Sequence, residues 1–389
     1  MTQSSSPTAT SPSGQVETSI VVTKRDQKEF LNLEREIYRD DSMWVPPLWM
    51  IRKESVGFKP HPFYEDAERQ AFMVRRGGKV VGRVLAIVNH GHNRRYEEKR
   101  GFFGFYECFD DQEASDHLLT TACQWLKQQG MTDVRGPANP SLNYECGLQI
   151  DAFDTPPTFM IPHNRDYYPT LIENFGFTKT QDLHSYQASI EILNDIDPKL
   201  KFVIDEATRR FRVSCRPISR KNFIADVREF LNVYNLSLER TWGYVPMSES
   251  EVDQMAKGLK YLIVPDLTSI AEIDGKCVGS GFGLLDYNEV IGKIGGKLFP
   301  FGWIKLLLHK KNIKRLRLIS TNVLPEYQKW GLGLVTLAPL LPHAINGGIE
   351  VGEFSWVLES NHLSRGTIER GGATRFKTHR IYDRELNDI

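Results

Sequence analysis

Residues 323–333 read Val-Leu-Pro-Glu-Tyr-Gln-Lys-Trp-Gly-Leu-Gly and follow the strand-like Leu316-Arg317-Leu318-Ile319. A strand, a turn and two glycines that open a helix make a seat for a pyrophosphate. The first N–H groups of a helix have no partner inside it, and the peptide dipoles favour negative charge at that end. Gly331 and Gly333 let an anion approach the main chain without Cβ interference. No Gly-Lys-Ser/Thr follows, and the spacing is not Gly-x-Gly-x-x-Gly, so nucleotide hydrolysis and hydride transfer lose ground. Two glycines alone would favour an ordinary strand–turn–helix whose glycines serve packing.

Other polar groups are candidates for chemistry. Glu359 closes the strand-like run Glu353–Leu358, and Glu353 opens it; either carboxylate could take a proton, although a solvated surface role is the commoner fate of such residues. Asn139, Asn143 and Glu145 lie in a polar stretch, 136–147, with Tyr168 downstream. They suit a substrate pocket, or a long loop satisfied by its own side chains. His90 and His92 lack a third ligand in the pattern, so no metal site is expected.

Elements to position these groups are legible. Helical periodicity covers Asp26–Tyr38, Gln112–Gln129, Phe223–Leu238 and Ser248–Leu259. Asp111 can cap the second, and Ser248 with Glu251 forms a capping box on the fourth. Gly78-Lys79-Val80-Val81-Gly82 recurs as Gly275-Lys276-Cys277-Val278-Gly279, each a Gly turn between two strand-like segments. Each half also ends on a short helix stopped by glycine and then an extended segment. The repeated order predicts a duplicated α/β architecture with a mixed sheet in each half. Residues 1–19, rich in Ser, Thr, Pro and Gly, read as a disordered tail. A linker around Asn194–Leu200 is the expected boundary between domains at 20–193 and 200–389.

Composition narrows the partners. The chain has 389 residues, with 49 Lys+Arg and 49 Asp+Glu, so no nucleic-acid partner is expected. Five scattered cysteines fit reduced thiols in a cytoplasmic protein. No apolar run reaches the roughly 18 residues of a membrane span, which predicts a protein that is soluble or at most peripheral at the inner membrane surface. Within 299–317, Phe299, Phe301, Trp303, Ile304 and Leu306–Leu308 mix with Lys305, Lys310, Lys311, Lys314, Arg315 and Arg317. That mixture suits an anionic membrane surface or an acyl carrier protein, or else a buried helix with solvated lysines.

Val323, Pro325, Gln328, Gly331 and Gly333 together match Val-x-Pro-x-x-Gln/Arg-x-x-Gly-x-Gly/Ala. In this the chain resembles the GNAT (GCN5-related) N-acyltransferase superfamily, and Glu353–Leu358 followed by Asn361 resembles that family's fifth strand and next helix. The resemblance implies two tandem GNAT-like domains. It implies acetyl-CoA or a longer acyl-CoA as co-substrate, with Val323, Gln328, Lys329, Trp330, Gly331, Leu332, Gly333 and Asn361 as its binding residues. Trp330 could stack on the cofactor or crowd the turn. The equivalent turn of the N-terminal half carries Asp110, Asp111 and Glu113, which would repel a pyrophosphate. Trp44-Val45-Pro46-Pro47, residues 89–93 and residues 136–141 look like a bacterial group of tandem GNAT-like proteins, to which some ceramide synthases that acylate a long-chain amine are similar. The activity implied is acyl transfer from acyl-CoA to a primary amine, lipidic amines included. The chain departs from the family in two ways. The usual tyrosine acid is replaced by Ile172 and Ile368, and Pro339 and Pro342 should break the helix after the turn. Those departures keep a second reading open, a non-catalytic sensor of CoA or lipid.

Overall fold

The computed structural model describes residues 14–194, 196–387 and 389. The chain forms two compact units. One holds the residues up to Asp182 together with those from His379 onward, and the other holds Leu183–Thr378. The division therefore does not fall in the expected linker. Asp195 of that segment lies outside the described residues, but Asp197 caps and Pro198 opens a 14-residue helix, Pro198–Phe211. Proline suits the first helical turn, where its missing N–H would have had no partner. The expected tail also ends early. Residues 1–13 lie outside the described residues, whereas Val16–Ile20 is a strand paired antiparallel to Phe72–Arg76.

In the N-terminal unit the strands Val16–Ile20, Ala67–Arg76, Lys79–Asn89, Arg100–Cys108 and Asp133–Gly136 lie side by side in that order. Tyr382–Glu385, from the last strand of the chain, closes the row against Asp133–Gly136. Alternation along the strands gives the sheet two apolar faces. Met73, Leu85 and Ile87 pack with Phe30 of helix Lys24–Ile37, while Val74, Val84 and Ala86 pack with Leu118 and Leu119 of helix Gln112–Gln128. Asp111 caps the second helix through the Ala114 N–H, as its position predicted.

The C-terminal unit orders its strands as 183–189, Val351–Leu358, Arg315–Val323, Lys276–Leu285, Thr268–Ile273 and Ser214–Arg216. Gly279 and Gly281 bring helix Leu332–Leu337 close to the sheet: a Cβ on Gly281 would stand 2.6 Å from the Thr336 carbonyl oxygen. On the other face Phe230 of helix Phe223–Ser237 meets Phe282 edge-on at 5.4 Å. Ser248 and Glu251 form the expected capping box. Pro339 separates helix Leu332–Leu337 from Leu340–Asn346, the expected break.

The N-terminal unit has an ionic core. Arg83 is almost fully buried; its guanidinium donates to the Phe30 carbonyl at 2.7 Å and to Glu34 at 2.8 Å, and stands 3.6 Å from Glu107. Arg52 pairs with Glu145 at 3.0 Å and Glu34 at 3.5 Å. The Tyr168 hydroxyl donates to Glu107 at 2.6 Å. Burial, reinforced by the Glu34 charge and only partly opposed by Arg83, pushes the Glu107 carboxyl from 4.5 up to about 7. The folded state therefore holds this proton more tightly than the unfolded chain. Its stabilising contribution is complete below about pH 4.5 and is lost as pH rises through about 7. Glu107→Gln should flatten the fall in urea-denaturation stability between about pH 5 and 8; an unchanged slope in the variant would refute the assignment.

Candidate active site

Strands Arg315–Val323 and Val351–Leu358 run parallel, but they pair only over Arg315–Leu318 and Val351–Phe354. Beyond that each strand keeps its outer neighbour and loses the inner one. Residues 320–323 stay paired to Phe282 through Gly279, and Val357 and Leu358 to His184 and Leu183. The result is a wedge with its vertex at Leu318 and Phe354. Thr321, on the splayed arm near the end of its strand, is exposed.

The motif lies at the mouth of the wedge. Pro325–Trp330 forms a 3-10 turn, Gly331 takes a left-handed conformation at φ 79°, and helix Leu332–Leu337 follows. Among the described residues the N–H groups of Gly331, Leu332 and Gly333 donate to no protein atom. A Cβ on Gly331 would lie 2.3 Å from Val203 Cγ1, whereas one on Gly333 would meet nothing within 4 Å. The first glycine is thus required by the fold, and the second leaves open space before the amides. The cradle fits a pyrophosphate.

The side chains expected to hold the cofactor divide into three groups. Val323 and Leu332 are buried and pack with Ala207, Val278 and Val335. Gln328 braces the turn, its amide nitrogen donating to the Ser237 and Val323 carbonyls at 2.9 and 3.1 Å. Asn361 is spent on capping helix His362–Arg370 through the Ser364 N–H. Lys329 is exposed and makes no contact among the described residues that would keep it from an anion. Arg210 lies over the Trp330 ring at 4.2 Å and Phe211 meets it at 6.0 Å. Arg210 brings a second cation beside the turn, from helix Pro198–Phe211, whose first residues fall in the expected linker.

An apolar cavity of about 130 Å³ lies on one face of the paired strands, between them and the flanking helices. Its lining includes Leu316, Leu318, Phe354, Leu337, Ala344 and Ile368. The alternate residues of the same strands carry charge. Arg317 and Glu353 occupy register-paired positions, both buried, and Arg317 donates to Ser355 Oγ at 3.0 Å. Glu359 lies one residue past its strand, and its carbonyl accepts from Arg365 at 3.0 Å. Tyr186, the register partner of Phe354, accepts from Arg365 at 3.3 Å and donates to Glu369 at 3.0 Å. Burial pushes the Tyr186 hydroxyl above the usual tyrosine range. Helix His362–Arg370 thus carries Ile368 yet holds a tyrosine hydroxyl supplied by a neighbouring strand, a pairing invisible in the spacing.

The substrate residues expected in the N-terminal unit come together only in part. Glu145 and Tyr168 join the ionic core described above. Asn139 accepts the Phe105 N–H at 2.6 Å, and Asn143 donates its N–H to Ser141. In that unit the strands Arg100–Cys108 and Asp133–Gly136 also pair over three residues only. The space beyond is taken by the chain itself: a Cβ on Gly104 would stand 1.8 Å from the Ala138 carbonyl oxygen. Asp111 and Glu113 both bind Arg76 at 2.7 Å, so this turn carries acids where the C-terminal one carries glycines.

Gly331→Ala should cost roughly 1–3 kcal/mol, from the left-handed backbone and the contact with Val203, while Gly333→Ala should leave stability within about 0.5 kcal/mol. Equal midpoints for the two variants in chemical denaturation would contradict this geometry.

No protein-family model matches the chain. Among curated proteins it is 34% identical to Protein YghO of Escherichia coli over 372 residues, 94% of each chain. It is 33% identical to the Bacterial ceramide synthase of Caulobacter vibrioides over 379 residues, covering 94% of this chain and 96% of that one. Among solved structures it matches a tandem GNAT protein from the clavulanic acid biosynthesis pathway with a TM-score of 0.55 at 12% identity, over 96% of this chain and 99% of that one. A GCN5-related N-acetyltransferase from Sphaerobacter thermophilus matches with a TM-score of 0.51 at 13% identity, over 95% and 96% of the two chains. With identity above 30% along nearly the whole of both chains, the protein belongs to the family of Protein YghO and the Bacterial ceramide synthase, and its fold is that of the tandem GNAT proteins.

Proposed function

We propose that the chain is an acyl-CoA-dependent N-acyltransferase whose C-terminal unit binds the donor. The observation that carries this reading is the wedge with three free amides at its mouth. The diphosphate would lie on Gly331–Gly333 with Lys329 and Arg210 beside it, and the pantetheine arm would run between the splayed strands toward the vertex. The apolar cavity by Leu318 and Phe354 would take the acyl chain. The acceptor is a primary amine, and the name of the Caulobacter relative favours a long-chain one.

Because the two strands are parallel, Glu359 lies at the diphosphate end of the wedge, where a carboxylate would repel the donor. Glu353 lies at the vertex, where the thioester carbonyl would arrive, so we assign it the role of base. It would take a proton from the ammonium form of the acceptor; the amine nitrogen would then bond to the carbonyl carbon as the carbon–sulfur bond breaks. Tyr186, neutral at physiological pH, would give its proton to the thiolate and regain one from the nitrogen, which sheds a second proton as it becomes the amide, while Glu353 passes the first to solvent. The non-catalytic sensor remains the second reading, and Ile172, Ile368 and the prolines at 339 and 342 favour it.

Calorimetry should show CoA binding that Gly333→Glu abolishes while the melting temperature holds. Acceptor-dependent thiol release should fall about a hundredfold or more in Glu353→Gln and by no more than about threefold in Glu359→Gln. Binding of CoA without turnover across an amine panel would leave the sensor, and no binding of CoA would refute both the enzyme and the CoA sensor. Ala344→Phe should depress long-chain donors more than acetyl-CoA if the cavity receives the chain.

A further inference from the structure

Helix Gly302–His309 turns its apolar side outward. Trp303, Ile304, Leu307 and Leu308 occupy positions i, i+1, i+4 and i+5, one stripe of a helix, and all four are exposed while Leu306 is buried. The preceding loop adds Phe299 and Phe301, at 70% and 68% exposure. Single exposed apolar side chains are ordinary, but a contiguous group of six with three aromatic rings marks a surface that meets a partner.

Charge identifies the partner. Between Glu289 and Glu326 the sequence carries eight lysines and arginines and no Asp or Glu, although the whole chain is formally neutral. Four of the eight are spent inside the unit. Lys310 donates to the Leu262 and Ile263 carbonyls at 3.4 Å, Lys314 pairs with Glu350 at 3.2 Å, and Arg315 and Arg317 donate to Gln187 and Ser355. Lys293, Lys297, Lys305 and Lys311 are exposed and bound to nothing among the described residues. The free cations therefore flank the apolar stripe along the chain; Lys305 and Lys311 are among those the sequence singles out, and Lys293 and Lys297 are not.

We infer that this patch seats the C-terminal unit on the surface of an anionic lipid bilayer. The rings and aliphatic side chains enter the headgroup layer, and the four free lysines pair with lipid phosphates. Tryptophan and phenylalanine beside lysine suit that boundary, where one side is apolar and the other wet. An acidic carrier protein would engage the lysines but leave most of the six apolar side chains uncovered. The inference does not depend on the reaction proposed above.

Sedimentation of the full chain with vesicles tests it. Equal parts of phosphatidylglycerol and phosphatidylcholine should pull the protein down, and phosphatidylcholine alone should do so far less. The triple variant Phe299→Ser/Phe301→Ser/Leu308→Ser should cut partitioning by an order of magnitude or more, and each of Lys297→Glu, Lys305→Glu and Lys311→Glu by about fivefold or more at low salt. All these positions are exposed, so circular dichroism and melting temperature should match the wild type. Absence of the wild type from anionic vesicles, or equal partitioning of the variants, overturns the inference. So does a dimer in light scattering that Phe301→Ser converts to monomer, or capture by an acyl carrier protein without capture by vesicles.

Discussion

Two parallel strands that stop pairing after four residues control the chemistry of the C-terminal unit. An open strand edge is normally a liability, since its N–H and C=O groups seek partners. Here each arm of the wedge is held from outside, one by Lys276–Leu285 and the other by residues 183–184, so the gap between them persists. The inward backbone groups of the two arms do not pair with each other. Everything else described at the site depends on this: the turn at the mouth, the cavity beside the vertex, and the charged pair Arg317–Glu353 on the opposite face.

The N-terminal unit shows what closes such a gap. It has the same short parallel pairing, and its chain turns back so that Ala138 and Asn139 fill the opening against Gly104 and Phe105. Its buried arginines and carboxylates pair with one another, although Nε of Arg52 and of Arg83 makes no hydrogen bond among the described residues. Removing one member of a buried ion pair costs more than the pair contributes, because a lone charge is left in a dry place. This unit therefore reads as a locked version of the fold, its polar residues committed to structure.

Much of the fold was legible where local chemistry decides. The capping box at Ser248–Glu251, the cap at Asp111 and the glycine turns at 78 and 275 act within a few residues, and the structure has them where spacing puts them. Helix Pro198–Phe211 was missed because Asp and Pro read equally well as a linker or as a helix start. Residues 299–308 show periodicity, but a pattern of apolar residues does not say whether they face a core or the solvent. Tyr186 comes to the helix of Ile368 because its strand pairs with Val351–Leu358, and its bond to Glu369 spans 183 residues, a distance at which no local signal operates. Of the motif residues, the glycines supply the free main-chain amides, whereas Gln328 and Asn361 brace the backbone around them.

The composition of the N-terminal unit has a consequence for how the polypeptide is made. Tyr382 and Leu386, from the end of the chain, are buried in its core beside Val134 and Leu171. During synthesis the first unit must wait, one strand short, while nearly two hundred further residues leave the ribosome. Its unpaired edge is exposed for that whole interval. Expression of the first half alone would leave that edge permanently bare, and a chaperone or the second half supplied as a separate polypeptide would be needed to cover it.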